Sequence, residues 1–155
     1  MEIKRIVLAF ICSLLLGCNK SETSTQKEIN QFIDNKKLDH VSIQKLNNSE
    51  YYIFSSPYIY IYQSSSDYIK STGLIKEEVV IGGLKKGSIG LIINNVKVLR
   101  DAKTYTVKID GKTREYDYGG EKYLIIKDYR IWNPTAQLKI TFLNDENQKI
   151  FESDY

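Results

Sequence analysis

The spacing of apolar residues divides the chain into distinct stretches. Ile6 to Leu16 is almost wholly apolar, interrupted by Cys12 and Ser13, and Asn19 to Gln26 is wholly polar. Ile29, Phe32 and Ile33 then recur at the i, i+3, i+4 spacing of one helical face. Thr25 followed by Glu28 has the form of a capping box, so a short helix is predicted that fades near Lys36–Leu38. From Val41 onward the period falls to two. "YYIFSSPYIYIYQ" surrounds Pro57 with β-favouring residues, and "EEVVIGG" and "GSIGLIINNVKVL" are rich in Val and Ile. Asp110-Gly111 between alternating runs is a two-residue hairpin signal, and Gly119-Gly120 marks a second. "NDEN", Asn144 to Asn147, separates the last two predicted strands. Asn94-Asn95 reads as a tight turn or as a polar break in one long strand. "SSSDYIKSTG", Ser64 to Gly73, reads as a loop with room for one helical turn capped by Ser66 or Asp67.

Turn signals every 8–12 residues or so, with about seven to nine short strands, predict a mainly β antiparallel sandwich with one short N-terminal helix. An immunoglobulin-like sandwich is the first expectation and a small barrel the second. The Cys…Trp…Cys spacing of antibody domains is absent, so the likeness is one of architecture alone. At 155 residues and 42% hydrophobic, the chain is long and apolar enough for one domain with its own core. That domain is expected over residues 27–155.

The first stretch has a separate logic. Lys4 and Arg5 precede an apolar run of about eleven residues, against roughly 20 needed to span a bilayer. A positive start and a short apolar segment form the layout of a secretory signal. The run closes on Leu15-Leu16-Gly17-Cys18. This resembles the lipobox of bacterial lipoproteins: an apolar residue, a variable one, a small one, then Cys. The resemblance covers residues 1–18 and implies that residues 1–17 are a signal peptide, cut off ahead of Cys18, and that Cys18 is acylated. It places the chain at the bacterial cell envelope, held to the membrane by lipid. In Gram-negative members of the class the residue after the Cys influences sorting, and Asn19 in place of Asp favours the periplasmic face of the outer membrane. Two or more acyl chains give stable anchoring. Residues 18–26 then form the acylated Cys and a polar tether, whose last eight residues reach roughly 15 Å as a flexible chain.

Charge and cysteine count narrow the chemistry. The chain carries 22 Lys and Arg against 19 Asp and Glu, and losing Lys4, Arg5 and Glu2 with residues 1–17 leaves 20 against 18. So even a balance predicts no nucleic-acid partner. Cys12 falls in the signal and Cys18 takes the lipid, so no thiol or disulfide is expected in the domain. His40 is the single histidine and sits in "KLDHVSI" with no nucleophile motif beside it. A solvent-facing or capping role is expected for it. With one His and no available Cys, no metal is expected, and "NDEN" lacks an EF-hand pattern. "IGGLKKGSIG", Ile81 to Gly90, lacks the order of a phosphate-binding loop and reads as a β-turn with Lys85 and Lys86 at its tip. No cofactor and no catalytic residue are expected.

The remaining feature is "PYIYIYQ". In a strand, Tyr58, Tyr60 and Tyr62 share one face, and Ile59 and Ile61 share the other. The tyrosines are either packed under a neighbouring element or exposed as a binding face, which Pro57 favours by suggesting an edge position. Trp132 in "YRIWNP" is expected in the core. A small anchored domain with this composition is expected to bind and not to catalyse. A protein partner is expected first, with the chain as an adaptor or assembly factor, or as an inhibitor such as an immunity protein against a toxin or lytic enzyme. Glycan or small-ligand binding is the alternative. Replacing Cys18 by Ala is expected to abolish incorporation of labelled fatty acid and to leave an uncleaved precursor; normal processing of that variant would remove the lipobox reading.

Overall fold

The computed structural model describes residues 24–131 and 137–155. In chain order the elements are helix α1 (Ser24–Lys36), strands β1 (Ser42–Lys45), β2 (Tyr51–Ser55), β3 (Tyr58–Tyr62), β4 (Tyr68–Thr72), β5 (Leu74–Lys76), β6 (Val79–Lys85) and β7 (Ser88–Ile93), helix α2 (Val96–Asp101), and strands β8 (Thr104–Ile109), β9 (Lys112–Asp117), β10 (Tyr123–Lys127), β11 (Leu138–Leu143) and β12 (Lys149–Asp154). Among the described residues these strands make three four-stranded sheets. Sheet A has the order β1-β2-β3-β4, sheet B β10-β7-β6-β5 and sheet C β12-β11-β8-β9. Every neighbouring pair is antiparallel. The mainly β, sandwich-like class holds. The number of strands exceeds the expected seven to nine, and a third sheet joins the two of an immunoglobulin-like sandwich.

Sheet B is the middle layer. Val79, Ile81, Ile89, Leu91, Ile93 and Ile126 face sheet C and pack on Tyr105, Val107, Ile140 and Phe142. Val80 and Ile92 face the other way and pack on Tyr52, Phe54, Ile59 and Ile61 of sheet A. A strand covered on both faces reads as a continuous apolar run, which is why "VVI" and "LII" show no alternation. Each of these side chains is worth about 1.5–3 kcal/mol on burial. The far side of sheet A is closed by α1, whose Ile29 and Phe32 pack on Ile53, Tyr60 and Tyr62. The layers are therefore α1, sheet A, sheet B and sheet C. The outer face of sheet C is polar, with Lys139 paired to Glu152 at 3.4 Å and to Asp154 at 3.3 Å.

Glycine sets how closely sheets A and B approach. A Cβ on Gly90 would sit 2.9 Å from Tyr52 Cε1 and 3.0 Å from Phe54 Cε1. The two rings lie directly on the β7 backbone. The Tyr52 hydroxyl reaches past it to donate to the Gly83 carbonyl at 2.6 Å and pairs with Ser88 Oγ at 3.0 Å. Burial pushes this phenol up to about 12. "IGGLKKGSIG" is thus the tip and flank of the β6–β7 hairpin; Gly82, Gly83 and Gly90 serve sheet packing, and Gly87 serves the turn with φ of 83°. Sheets A and B also share a continuous chain: β4 leaves sheet A at Gly73 and enters sheet B as β5.

Asp110 and Gly111 take φ of 48° and 79° in a two-residue turn, as the Asp-Gly signal predicts. The Asn144–Asn147 turn joins β11 to β12, with the Asn144 side chain accepting from the Glu146 and Gln148 N–H groups. The helix begins at Ser24, ahead of the Thr25 cap position, and shortens the expected tether. Three further expectations are corrected. Ser64–Gly73 holds strand β4; its residues are exposed or half-buried, so no apolar face betrays it. Gly119-Gly120 is not a hairpin, because the chain crosses there from sheet C to sheet B, where β10 pairs with β7. Asn94-Asn95 is neither turn nor break: Asn95 caps α2, its side chain accepting from the Val98 N–H at 3.0 Å.

Gly90→Ala is expected to lower stability by about 1–3 kcal/mol through overpacking against two buried rings. Denaturant unfolding would show it as a lower midpoint at constant slope.

Candidate functional site

The tyrosine strip lies where its strand pairing puts it, and it is covered. Tyr60 and Tyr62 are 2% and 1% exposed and Tyr58 is half-buried. Phe32 of α1 lies 5.8 Å from the Tyr60 ring and 4.9 Å from the Tyr62 ring. The expected binding face of Tyr58, Tyr60 and Tyr62 is therefore the seat of α1. Pro57 lies in the β2–β3 turn, after a cis peptide bond with Ser56, and β3 is an inner strand. His40 is exposed, and its carbonyl accepts from the Tyr123 hydroxyl at 3.3 Å. Cys18 and Trp132 lie outside the described residues. Among the described residues no three His, Cys, Asp or Glu side chains converge as metal ligands. No described helix is long and apolar enough to cross a membrane.

Two surface features stand out. The first is the edge formed by β4 and β5, each paired on one side only among the described residues. Ile69, Leu74 and Ile75 are 50%, 46% and 59% exposed there. Ile69 stands opposite Ile61, and Ile75 opposite Val80. Both partners belong to the buried interface between sheets A and B, so Ile69 and Ile75 are its uncovered rim. Lysines on an edge ordinarily discourage strand addition. Here Lys70 lies over the Tyr58 ring at 3.7 Å, and Lys76 donates to the Glu152 carbonyl at 2.6 Å. Both ammonium groups are drawn off the edge.

The second feature is built on Asp128, fully buried at the end of β10. The Arg130 guanidinium grips its carboxylate, Nη2 to Oδ2 at 2.6 Å and Nε to Oδ1 at 3.0 Å. The Arg130 backbone N–H donates at 3.0 Å and the Tyr116 hydroxyl at 2.8 Å. Arg130 also donates to the Lys112 carbonyl at 2.7 Å and the Val107 carbonyl at 3.1 Å, tying sheet B to sheet C. Burial by itself would raise the Asp128 carboxyl. The Arg130 hydrogen bonds, aided by Tyr116, outweigh that and hold it down at about 2. Beside this lock opens a groove of about 640 Å³, lined in part by Lys112, Arg114 and Tyr129. Tyr129 is 72% exposed, and Arg114 stacks over its ring at 4.7 Å. A second groove, of about 410 Å³, lies between α2 and the β11–β12 turn and is lined by Lys97, Arg100, Lys103 and Lys149 with Asp101 and Asp145.

Sequence reasoning missed both features. The edge was hidden in a Ser-rich stretch, although the apolar pairs on either side of Gly73 were its one signal. The lock was hidden because Asp-x-Arg spacing is common and burial is a tertiary fact. No family model matches the chain, and no curated protein or solved structure shows significant similarity to it.

The lowered Asp128 value, set against an ordinary 3.8, makes the lock acid-sensitive. The unfolded chain takes up this proton first, so its contribution is complete above about pH 5 and disappears as pH falls from roughly 4 to 2. It amounts to about 2 kcal/mol. Asp128→Asn is expected to cost roughly 3–5 kcal/mol at pH 7 by leaving Arg130 buried without its partner. The variant should also lose part of the pH dependence of its unfolding midpoint below about pH 4. An unchanged midpoint at pH 7 would remove the lock from the stability account.

Proposed function

We propose that this chain is a lipid-anchored binding module of the bacterial cell envelope, and that it binds a protein by accepting an extended segment along the β4–β5 edge. The anchoring half of the reading rests on the lipobox-like Leu15-Leu16-Gly17-Cys18. The binding half is carried by one observation: three large apolar side chains, about half exposed, lie within seven residues of an unpaired strand edge. An added strand satisfies the backbone groups of the edge and covers the rim isoleucines at once, so main-chain hydrogen bonds supply affinity and the side-chain positions supply choice. An adaptor or an inhibitor of an envelope-acting protein would use such an edge in the same way.

The test uses the lipidated chain captured with its partner from envelope extracts, followed by hydrogen exchange on the complex. Strand addition predicts slowed exchange of amides in β4 and β5. Ile69→Lys with Ile75→Lys should weaken capture by about tenfold or more, with little change in unfolding midpoint because both sites are exposed. Undiminished capture by the double variant, or unprotected β4–β5 amides, would place the partner elsewhere.

A further inference from the structure

One end of the sandwich gathers the turn before β2, the β6–β7 tip, the end of β10 and the β8–β9 tip. Lys85 at the β6–β7 tip is ion-paired with Glu50, which precedes β2. Lys127 at the end of β10 donates to the Leu46 carbonyl at 3.0 Å. The Asp128 N–H donates to the Gly87 carbonyl at 3.0 Å, and Arg130 reaches the Lys112 carbonyl at 2.7 Å. These bonds fix four loops from three sheets at one end.

Helix α1 starts at that same end. Its last residues lie beside the opposite, Ser55–Tyr58 end of sheet A, where Ser55 Oγ donates to the Asp39 carbonyl at 2.9 Å. Phe32 packs on Tyr62 and Tyr68 at 4.9 and 5.0 Å. Those residues are the near end of β3 and β4. Ser24 precedes Phe32 by eight residues, a rise of roughly 12 Å along the helix axis at 1.5 Å per residue. From Cys18 to Ser24 is six residues, a span of at most about 20 Å. An anchor on Cys18 therefore holds this end, and not the other, beside the bilayer.

The side chains at this end suit that position. Lys27, Lys45, Lys86, Lys112 and Lys127 are exposed there, against exposed Glu28, Asp67 and Asp110. Asp154 stands nearby but is ion-paired with Lys139 at 3.3 Å, Glu50 is held by Lys85, and Asp128 is shared by Arg130 and Arg114, a group that keeps one positive charge. Tyr129 and Tyr155, 72% and 39% exposed, are on the same side. The opposite end has no such excess: Glu77, Glu78, Asp117, Glu121, Asp145 and Glu146 offset the cations beside α2. We infer that the basic end docks on the anionic phospholipid headgroups of the bilayer that carries the anchor, with Tyr129 at headgroup level. Clustered Lys and Arg beside an anchor bind anionic lipid, and Tyr favours the membrane interface. This inference rests on the lipoprotein reading of Cys18 and adds to it an orientation, which turns the β4–β5 edge sideways, along the membrane plane.

The mature chain has one cysteine, Cys18, blocked by lipid in that reading. Thr113→Cys and Asp145→Cys therefore give single sites for a fluorophore, one at each end. The lipidated chain is reconstituted in phosphatidylcholine vesicles with or without phosphatidylglycerol, both containing a headgroup-linked quencher. With phosphatidylglycerol, the label at position 113 is expected to be strongly quenched and the label at 145 little. Lys45→Gln with Lys112→Gln should lower the docked-to-undocked ratio roughly 30-fold, and vesicles of phosphatidylcholine alone should reduce the contrast to the part that the tether by itself supplies. An acylated chain quenched equally at both sites, or one indifferent to lipid charge, overturns the docking and leaves the anchor standing. A chain that acquires no acyl group overturns both.

Discussion

A sheet with no solvent face governs this fold. Sheet B sits between two others, so the side chains along the middle of its long strands are apolar or absent, and the polar Lys85 and Ser88 fall at the hairpin end. Val79, Val80, Ile81, Ile89, Leu91, Ile92 and Ile93 are all 2% exposed or less. The arrangement is demanding in two ways. Apolar contact alone is non-directional and would let three stacked sheets slide or rotate. Both interfaces must also reach interior packing density at once. Gly90 answers the second demand on the sheet A side by letting the Tyr52 and Phe54 rings lie against the strand backbone.

Directional bonds answer the first demand, and they cluster where the layers meet at their margins. Gln44 donates to the Tyr123 carbonyl at 2.8 Å, joining sheet A to sheet B on one side. The continuous β4–β5 chain joins them on the other. Lys76 links sheet B to the Glu152 carbonyl of sheet C, and Arg130 links them at the opposite margin. Most of these use a side chain against a backbone carbonyl. Such a bond fixes register without asking the facing sheet for a particular side chain. The Asp128–Arg130 lock differs because it buries a charge pair. Its cost is met by the density of hydrogen bonds around it, and its failure leaves an unpaired ion inside the protein.

What the sequence made legible follows from this layering. Local signals survived: the helix at Ile29–Ile33, the Asp110-Gly111 turn and the Asn144–Asn147 turn depend on near neighbours. Continuous apolar runs correctly announced buried strands. Patterns that depend on which sheet a strand joins were lost. β4 has two half-open faces and so no alternation, and Gly119-Gly120 looks like a hairpin although its strands part company. The tyrosines of β3 show the same limit. Their alternation was readable, but whether Tyr60 and Tyr62 meet water or Phe32 depends on α1, which lies about thirty residues earlier in the chain. The site was the least legible part, because exposure at Ile69 and Ile75 is defined by what sheets A and B fail to cover.

The rim isoleucines can be understood as a consequence of how sheets A and B are joined. A strand that passes from one sheet to the other must turn out of both planes at the crossing. Gly73 stands at that point, with no room for a side chain: a Cβ there would come within 2.2 Å of Val80 Cγ1. Residues on either side of the corner fan apart, and neither sheet extends far enough to cover Ile69 or Ile75. A polar pair would be the economical choice at such a corner if solubility were the sole demand. Isoleucine stands at both positions while the neighbouring Lys70 and Lys76 are bound elsewhere, over Tyr58 and to Glu152. Apolar side chains left open beside withdrawn guards are what strand addition requires. A tether at the basic end would keep that edge at a fixed height above a membrane, where a partner moving in the same plane meets it repeatedly.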